Sequence, residues 1–251
     1  MVEWTDVALV AGGVGAGFVN VLAGGGSALT LPLLMLVGLD ANQANGTNRI
    51  VVLLQSTAGA AEFHRRRIRP WMATRAALPP IVAGAVIGAL VATRVSASAM
   101  EVLFGVLFLS LAAVMAVRPS WLVPEPPPDA APHPPRPGGV AALFAVGLYG
   151  GVFQAGVGIP LLLVIVRAMG ADLVQGNAAK TALVMVYTAL VLGIFGAAGQ
   201  LVWRPALLLS AGAVFGSLIG ARFAVERGVG FVRKLVMLAL LGAGGHSLGL
   251  Y

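Results

Sequence analysis

The sequence has no cysteine, only three histidines, and charge on just 10% of its 251 residues. Without thiols there is no disulfide, iron–sulfur cluster or thiolate metal site. His64, His133 and His246 lie far apart in the chain and make no metal-ligand spacing. No paired carboxylates or nucleophile–base constellation stand within the apolar runs, so neither an enzyme nor a cofactor or metal requirement is expected. Soluble domains carry about a quarter charged residues. Scarcity of charge, with 59% hydrophobic residues and a mean hydropathy of +0.94, marks an integral membrane protein. A cleavable leader is not expected, because Glu3 and Asp6 stand where a signal peptide is positive. The net charge of +7 does not point to nucleic acid, since the basic residues cluster at the ends of apolar segments, where they encode topology.

What is present is a series of apolar runs of helical length. Helical segments are expected near 5–21, 27–38, 42–63, 73–94 and 99–117, then near 139–153, 159–169, 173–198, 204–224 and 231–250. Between the two sets, residues 119–137 hold nine of the fifteen prolines and read as an extended linker. The expected organisation is a first membrane repeat over 1–118, a Pro-rich cytoplasmic linker over 119–138 and a second membrane repeat over 139–251.

The two sets are copies. A shift of 132 residues superposes Asp40 on Asp172, Gln43 on Gln175, Asn45 on Asn177 and Trp71 on Trp203. The same shift pairs Ala23-Gly24 with Ala155-Gly156, Gly26 with Gly158, Gly84 with Gly216 and Gly88 with Gly220. Internal duplication is common in transporter folds. Basic residues distinguish inverted from parallel copies. In the first copy they fill HRRRIR (64–69), between the third and fourth segments; in the second they follow the fourth, at Arg222, Arg227, Arg233 and Lys234. The bias changes loop, which favours an all-α fold of two inverted repeats with about five helical segments each; parallel four-helix units are the alternative.

The second segment of each copy is short and follows a glycine break, Ala23–Gly26 in one and Ala155–Gly158 in the other. Residues 27–38 would rise about 18 Å against a hydrocarbon core of about 30 Å. Broken backbone at membrane depth is tolerated where protein or a water-filled cavity satisfies it. The amides at a half-helix start suit an anion, and glycine lets it approach. For Gly84, Gly88, Gly216 and Gly220, close helix packing is the better reading. Asn45, Asn48 and Asn177 offer amide donors, while Lys180 and Arg49 are cations within apolar runs, either site residues or snorkelling side chains. Asp40 and Asp172 read as N-caps and Glu62 as an interfacial charge partner; Gln55 and Tyr187, at equivalent places, either line a path or bond a neighbouring helix.

The stretch AGGGSALTLPLLMLVGLDANQANGTN, with its copy AGVGIPLLLVIVRAMGADLVQGNAAK, resembles the TauE/SafE family of sulfite exporters and toluene-sulfonate uptake permeases. The resemblance covers nearly all of the chain outside the linker. It implies a multi-pass inner-membrane secondary transporter, an exporter of small sulfur oxyanions such as sulfite or sulfoacetate. A channel-like pore, or a permease for another anion such as thiosulfate, is the alternative. The implied substrate-binding residues are Gly24, Gly25, Gly26, Asn45, Gly46, Thr47 and Asn48, with Gly156, Gly158, Asn177 and Lys180 in the second copy; the reading of the residues themselves adds Ser27 and Arg49. The second copy reads GVG for GGG and NAAK for NGTN, which fits one off-axis anion between a cationic half and an amide-rich half. The expected partners are that anion and the lipid bilayer; a coupling ion such as a proton, and a homodimer, are left open.

Overall fold

A computed structural model describes residues 4–23, 26–117 and 133–226. Among the described residues the chain is all-helical, with no strand. The helices are α1 (Trp4–Ala23), α2 (Ser27–Leu36), α3 (Ala41–Arg65), α4 (Trp71–Ala92), α5 (Ala97–Val117), α6 (Pro137–Val152), α7 (Gly158–Met169), α8 (Leu173–Ala197) and α9 (Trp203–Glu226). Five of them, α1, α4, α5, α8 and α9, are long and apolar enough to cross a membrane. The segment expected near 231–250 lies outside the described residues, as do Arg227, Arg233, Lys234, Arg118 and residues 119–132 of the linker. Pro137 and Gly138, assigned to the linker, instead open α6, where proline suits a first-turn position whose N–H has no intrahelical acceptor. The chain before them is anchored, since His133 donates its backbone N–H to Met169 O at the end of α7.

Both short helices are elements separate from the helices before them in the chain. α2 has ten residues and α7 twelve, about 15 and 18 Å of rise, roughly half a membrane core. α2 folds back along α1, with Gly26 against the backbone of Ala16 and Leu33 against Gly12. The same turn chemistry recurs 132 residues apart. Gly38 and Gly170 have φ of +95° and +66°, and Arg67 and Gly199 have φ of +62° and +68°. Behind the latter two, Ile68 N–H reaches Phe63 O at 3.0 Å and Gln200 N–H reaches Phe195 O at 3.1 Å, the same helix-ending bond in each copy.

Glycines fuse helices of different copies. α1 packs on α9 and α4 on α6 more extensively than any other pairs. A Cβ on Gly216 would stand 2.0 Å from Val14 O, and one on Gly84 2.2 Å from Phe144 O, so backbone lies directly on backbone. Gly88 and Gly220 meet Leu148 O and Phe18 O in the same manner. These contacts refine the register of the repeat. Gly17 packs on Ala213 and Gly147 on Ile81. Ala213 follows Ile81 by 132 residues, but Gly147 follows Gly17 by only 130. The first helices therefore match at 130 and everything after the break at 132, so the second break is two residues longer.

The middle of the molecule is the α3–α8 pair. The Arg49 guanidinium lies 4.5 Å over the Phe195 ring, and a Cβ on Gly59 would meet the Thr181 methyl at 3.2 Å. As α3 advances from 49 to 59, its neighbour on α8 retreats from 195 to 181. The two equivalent helices are antiparallel, and their register brings Gln55 level with Tyr187. α9 packs on α3 from one side and α4 on α8 from the other, so partners exchange between the copies.

Candidate functional site

The site is built where α3 and α8 meet the broken ends of the other copy's first helix. α3 starts at the Asp40 cap, whose carboxylate accepts from Gln43 N–H at 2.8 Å while Gln43 Oε1 accepts from Asp40 N–H. α8 starts likewise at Asp172, which accepts from Val174 and Gln175 N–H. The half-helices differ. The starts of α2 at Gly26 and α7 at Val157 have no side-chain cap. First-turn amides with no side-chain acceptor attract negative charge.

Arg49 is completely buried. Its Nη1 donates to Gly150 O at 2.6 Å and to Gln154 Oε1; its Nη2 donates to Gly151 O at 2.8 Å, Val152 O at 3.3 Å and Asn45 Oδ1 at 3.2 Å. The guanidinium thus closes the C-terminal end of α6, where helix carbonyls lack intrahelical donors and the dipole is negative. Lys180, 3% exposed, does the same for α1: its Nζ donates to Asn20 O and Val21 O at 3.3 Å each and to Asn177 Oδ1 at 2.7 Å. In the 130-residue register Asn20 and Val21 are the counterparts of Gly150 and Gly151, and Asn45 matches Asn177. The two cations come from sequence positions one residue out of step, yet each clamps the same carbonyls in the opposite copy. Neither snorkels. The ion pairs among the described residues involve only Glu62 and Asp6, so neither clamp has a carboxylate partner.

The expected site residues separate in the structure. Asn45, Asn48, Arg49, Asn177 and Lys180 gather around the two clamps. Asn45 also donates to Val152 O at 2.8 Å, and Thr30 donates to Asn48 Oδ1. Ser27 is buried at the start of α2. Gly156, at φ +66°, sits within the second break, where a Cβ would meet Leu111 Cδ1 at 3.0 Å; Gly158 opens α7. Gly24 and Gly25 lie outside the described residues. Gly46 and Thr47 face elsewhere. A Cβ on Gly46 would stand 2.3 Å from Gln200 O, and Thr47 Oγ1 accepts from Val202 N–H at 3.0 Å, so both dock the α8–α9 turn. This explains why NGTN becomes NAAK. Thr47 corresponds to Ala179, and Val202 to Pro70, which has no N–H to satisfy.

Gln154 belongs to the site and has no matching polar residue in the first copy to draw attention to it. Held at φ +58° and 1% exposed, it accepts from Arg49 and from Tyr187 OH at 3.2 Å and donates to Thr188 Oγ1 at 3.3 Å. Tyr149 closes the same break through its hydroxyl, which donates to Ala155 O. The sequence signal was a polar residue beside the glycine break.

At one end of α8 an open cavity of about 400 Å³ is lined by Arg67, Ile68, Arg69, Asp172, Val174 and Gln175. Asn177 follows Gln175 within a turn, so the cavity lies outside the Lys180 clamp. Glu62, 4% exposed, pairs with Arg65 at 2.8 Å and Arg66 at 2.9 Å, and lies 3.8 Å from Arg222 of α9.

Comparison with known proteins agrees with the helical pattern. Residues 9–246 match the profile of the family described as Sulfite exporter TauE/SafE. The chain is 28% identical over 229 residues to "Probable membrane transporter protein ORF9" of Sinorhizobium sp, covering 89% of this chain and 84% of that protein. It is 25% identical over 225 residues to a "Probable membrane transporter protein" of Haemophilus influenzae, covering 89% and 86%. It is 24% identical over 223 residues to "Probable membrane transporter protein YfcA" of Escherichia coli K12, covering 89% and 82%. No solved structure matches. With a match across almost its whole length and five apolar helices of spanning length, the chain is a multi-pass membrane protein belonging to the TauE/SafE sulfite exporter family of transporters.

Proposed function

We propose that this protein is a secondary transporter of the inner membrane that exports a small sulfur oxyanion, such as sulfite or sulfoacetate, by alternating access around a site between two inverted repeats. The observation that carries the reading is the pair of buried cations, Arg49 and Lys180, that have only neutral acceptors around them. Two buried positive charges held by carbonyls and amides, with no carboxylate partner, favour the arrival of a negative guest. The uncapped starts of α2 and α7 add two positive dipole ends. An oxyanion with several acceptor oxygens suits convergent charged and amide donors. In this reading Asn45, Asn48, Arg49, Asn177 and Lys180 are the principal binding residues, with the backbone near Gly26, Ser27, Gly156 and Gly158.

The antiparallel course of α3 and α8 supports inverted repeats, because equivalent spans related by an axis along the membrane normal would run parallel. The end carrying residues 64–69, Arg222 and the linker is then cytoplasmic by its positive charge. The cavity beside Arg67 and Arg69 opens at that end and gives an anion a positively charged approach. An inside-negative potential favours anion export by about 2.3 kcal/mol per charge per 100 mV.

The test is a thermal-shift titration of the purified protein with sulfite, thiosulfate, sulfoacetate and taurine, followed by flux measurements in proteoliposomes. Saturable stabilisation by at least one of these anions, with saturable flux of the same anion, is the expected result. Flux rising linearly with concentration would make the protein a pore, and no response to any of them would overturn the substrate class.

A further inference from the structure

Among the described residues, seven buried side-chain atoms have no hydrogen-bond partner: Asn42 Oδ1, Asn48 Nδ2, Arg49 Nε, Gln55 Nε2, Gln55 Oε1, Ser56 Oγ and Ser210 Oγ. Five of the seven lie on one stretch of α3. At 3.6 residues per turn, positions 48, 49, 55 and 56 fall within an arc of about 120°, so they form a single stripe two turns long. Asn48, Arg49 and Gln55 are fully buried and Ser56 is 1% exposed. The stripe faces the centre of the molecule, for Arg49 lies against Phe195 of α8 and reaches the α6 break. Its Gln55 end stands level with Tyr187.

Buried polar groups in folded proteins are nearly always paired, since an unpaired one loses water and gains nothing. Away from the stripe, with Asn42 Oδ1 and Ser210 Oγ as exceptions, Thr30, Asn45, Thr47, Gln154, Lys180, Thr181 and Thr188 all have partners. The contrast with Gln55 is sharpest. Its counterpart Tyr187 is satisfied by Gln154, whereas both ends of the Gln55 amide are left over. Three kinds of unused donor (an amide, a guanidinium N–H and a hydroxyl) line one face, beside a cation whose other donors are already committed to α6.

We propose that this stripe, Asn48–Arg49–Gln55–Ser56, is the seat of the transported oxyanion, and that Gln55 and Ser56 determine which anion is accepted. The inference rests on the transporter reading above and moves the binding site along α3 from the NGT part of the motif towards the crossing with α8. Asn48 Nδ2, Arg49 Nε and the Gln55 amide donate to the oxygens. Gln55 Oε1 and the Ser56 hydroxyl can also accept, which suits a protonated oxygen such as that of hydrogen sulfite.

The test exploits opposite effects on binding and stability. In the full-length protein, Gln55→Leu and Ser56→Ala each remove an unpaired polar group, so the thermal midpoint without anion should hold or rise. Sulfoacetate flux in proteoliposomes should fall at least tenfold with Gln55→Leu. Wild-type flux in that variant, or a flux loss that tracks a lowered midpoint in both variants, would overturn the seat. Should Gln55→Leu not fold, Ser56→Cys decides, as the sole thiol in a chain without cysteine. Maleimide labelling during turnover, slowed at least fivefold by sulfoacetate, supports the seat. Unprotected labelling, or none, overturns it. Failure of the seat alone leaves wild-type sulfoacetate flux intact, whereas failure of the transporter reading abolishes that flux as well.

Discussion

Replacing Lys180 with methionine separates an anion-binding cation from a merely structural clamp. The ammonium makes one short bond, 2.7 Å to Asn177 Oδ1, and two long ones of 3.3 Å to Asn20 O and Val21 O. Hydrogen bonds to a charged group contribute about 1.5–3 kcal/mol each at good geometry, less here for the two long ones. Against them stands a desolvation penalty of roughly several kcal/mol for the buried ion, which methionine does not incur. The two terms nearly cancel, so Lys180→Met should fold, with a thermal midpoint within a few degrees of wild type. The anion has no such compensation. A monoanion in the α3 stripe, roughly 10 Å from the ammonium at an effective dielectric of about 20, interacts by about 1.7 kcal/mol. Losing that interaction weakens binding by about twentyfold. The assay is concentration-dependent flux of radiolabelled sulfoacetate in proteoliposomes, with a fluorescence melt of the same preparation. Flux within threefold of wild type at low substrate would refute the charge argument, and a collapse of the melt would make Lys180 a structural clamp instead.

Thr47→Val should destabilise by about 1–3 kcal/mol, because Val202 N–H loses its acceptor; Thr47→Ser should restore the midpoint in a melt, and flux per folded molecule should be unchanged in both. Gly216→Leu should cost about 3 kcal/mol or more, since even a Cβ there would stand 2.0 Å from Val14 O and drive α1 and α9 apart, whereas Gly193→Ala, with open space around it inside α8, should hold or raise stability by up to about 1 kcal/mol. Glu62→Gln should lower the thermal midpoint only slightly by removing the pairing with Arg65 and Arg66, while leaving the flux response to a pH gradient intact; a variant that transports but ignores the gradient would instead make Glu62 a proton carrier.

Local chemistry made the helices legible in the sequence. Asp40 and Asp172 are caps, Gly38 and Gly170 take left-handed turns, and the expected segment ends fall within two residues of those observed from α1 to α9. The glycine pairs at 84, 88, 216 and 220 read correctly as packing, because spacing of four places them on one helix face. The partners of Arg49 and Lys180 were not legible. Each reaches carbonyls more than a hundred residues away, and a backbone carbonyl leaves no mark in residue type. The same blindness hid the use of Gly46 and Thr47, whose partners are the backbone of Gln200 and Val202. A single ungapped shift also concealed the change of register at the break. It became visible only when Gly17 and Gly147 were seen against equivalent residues of α9 and α4.

Counterflow in liposomes is the most direct examination of the central idea. Vesicles carrying wild-type protein and loaded with unlabelled sulfoacetate should accumulate external labelled sulfoacetate transiently and saturably, sulfite should compete, and the double variant Arg49→Gln/Lys180→Met should abolish the accumulation. Equal accumulation by the double variant, or none by the wild type, would contradict the account.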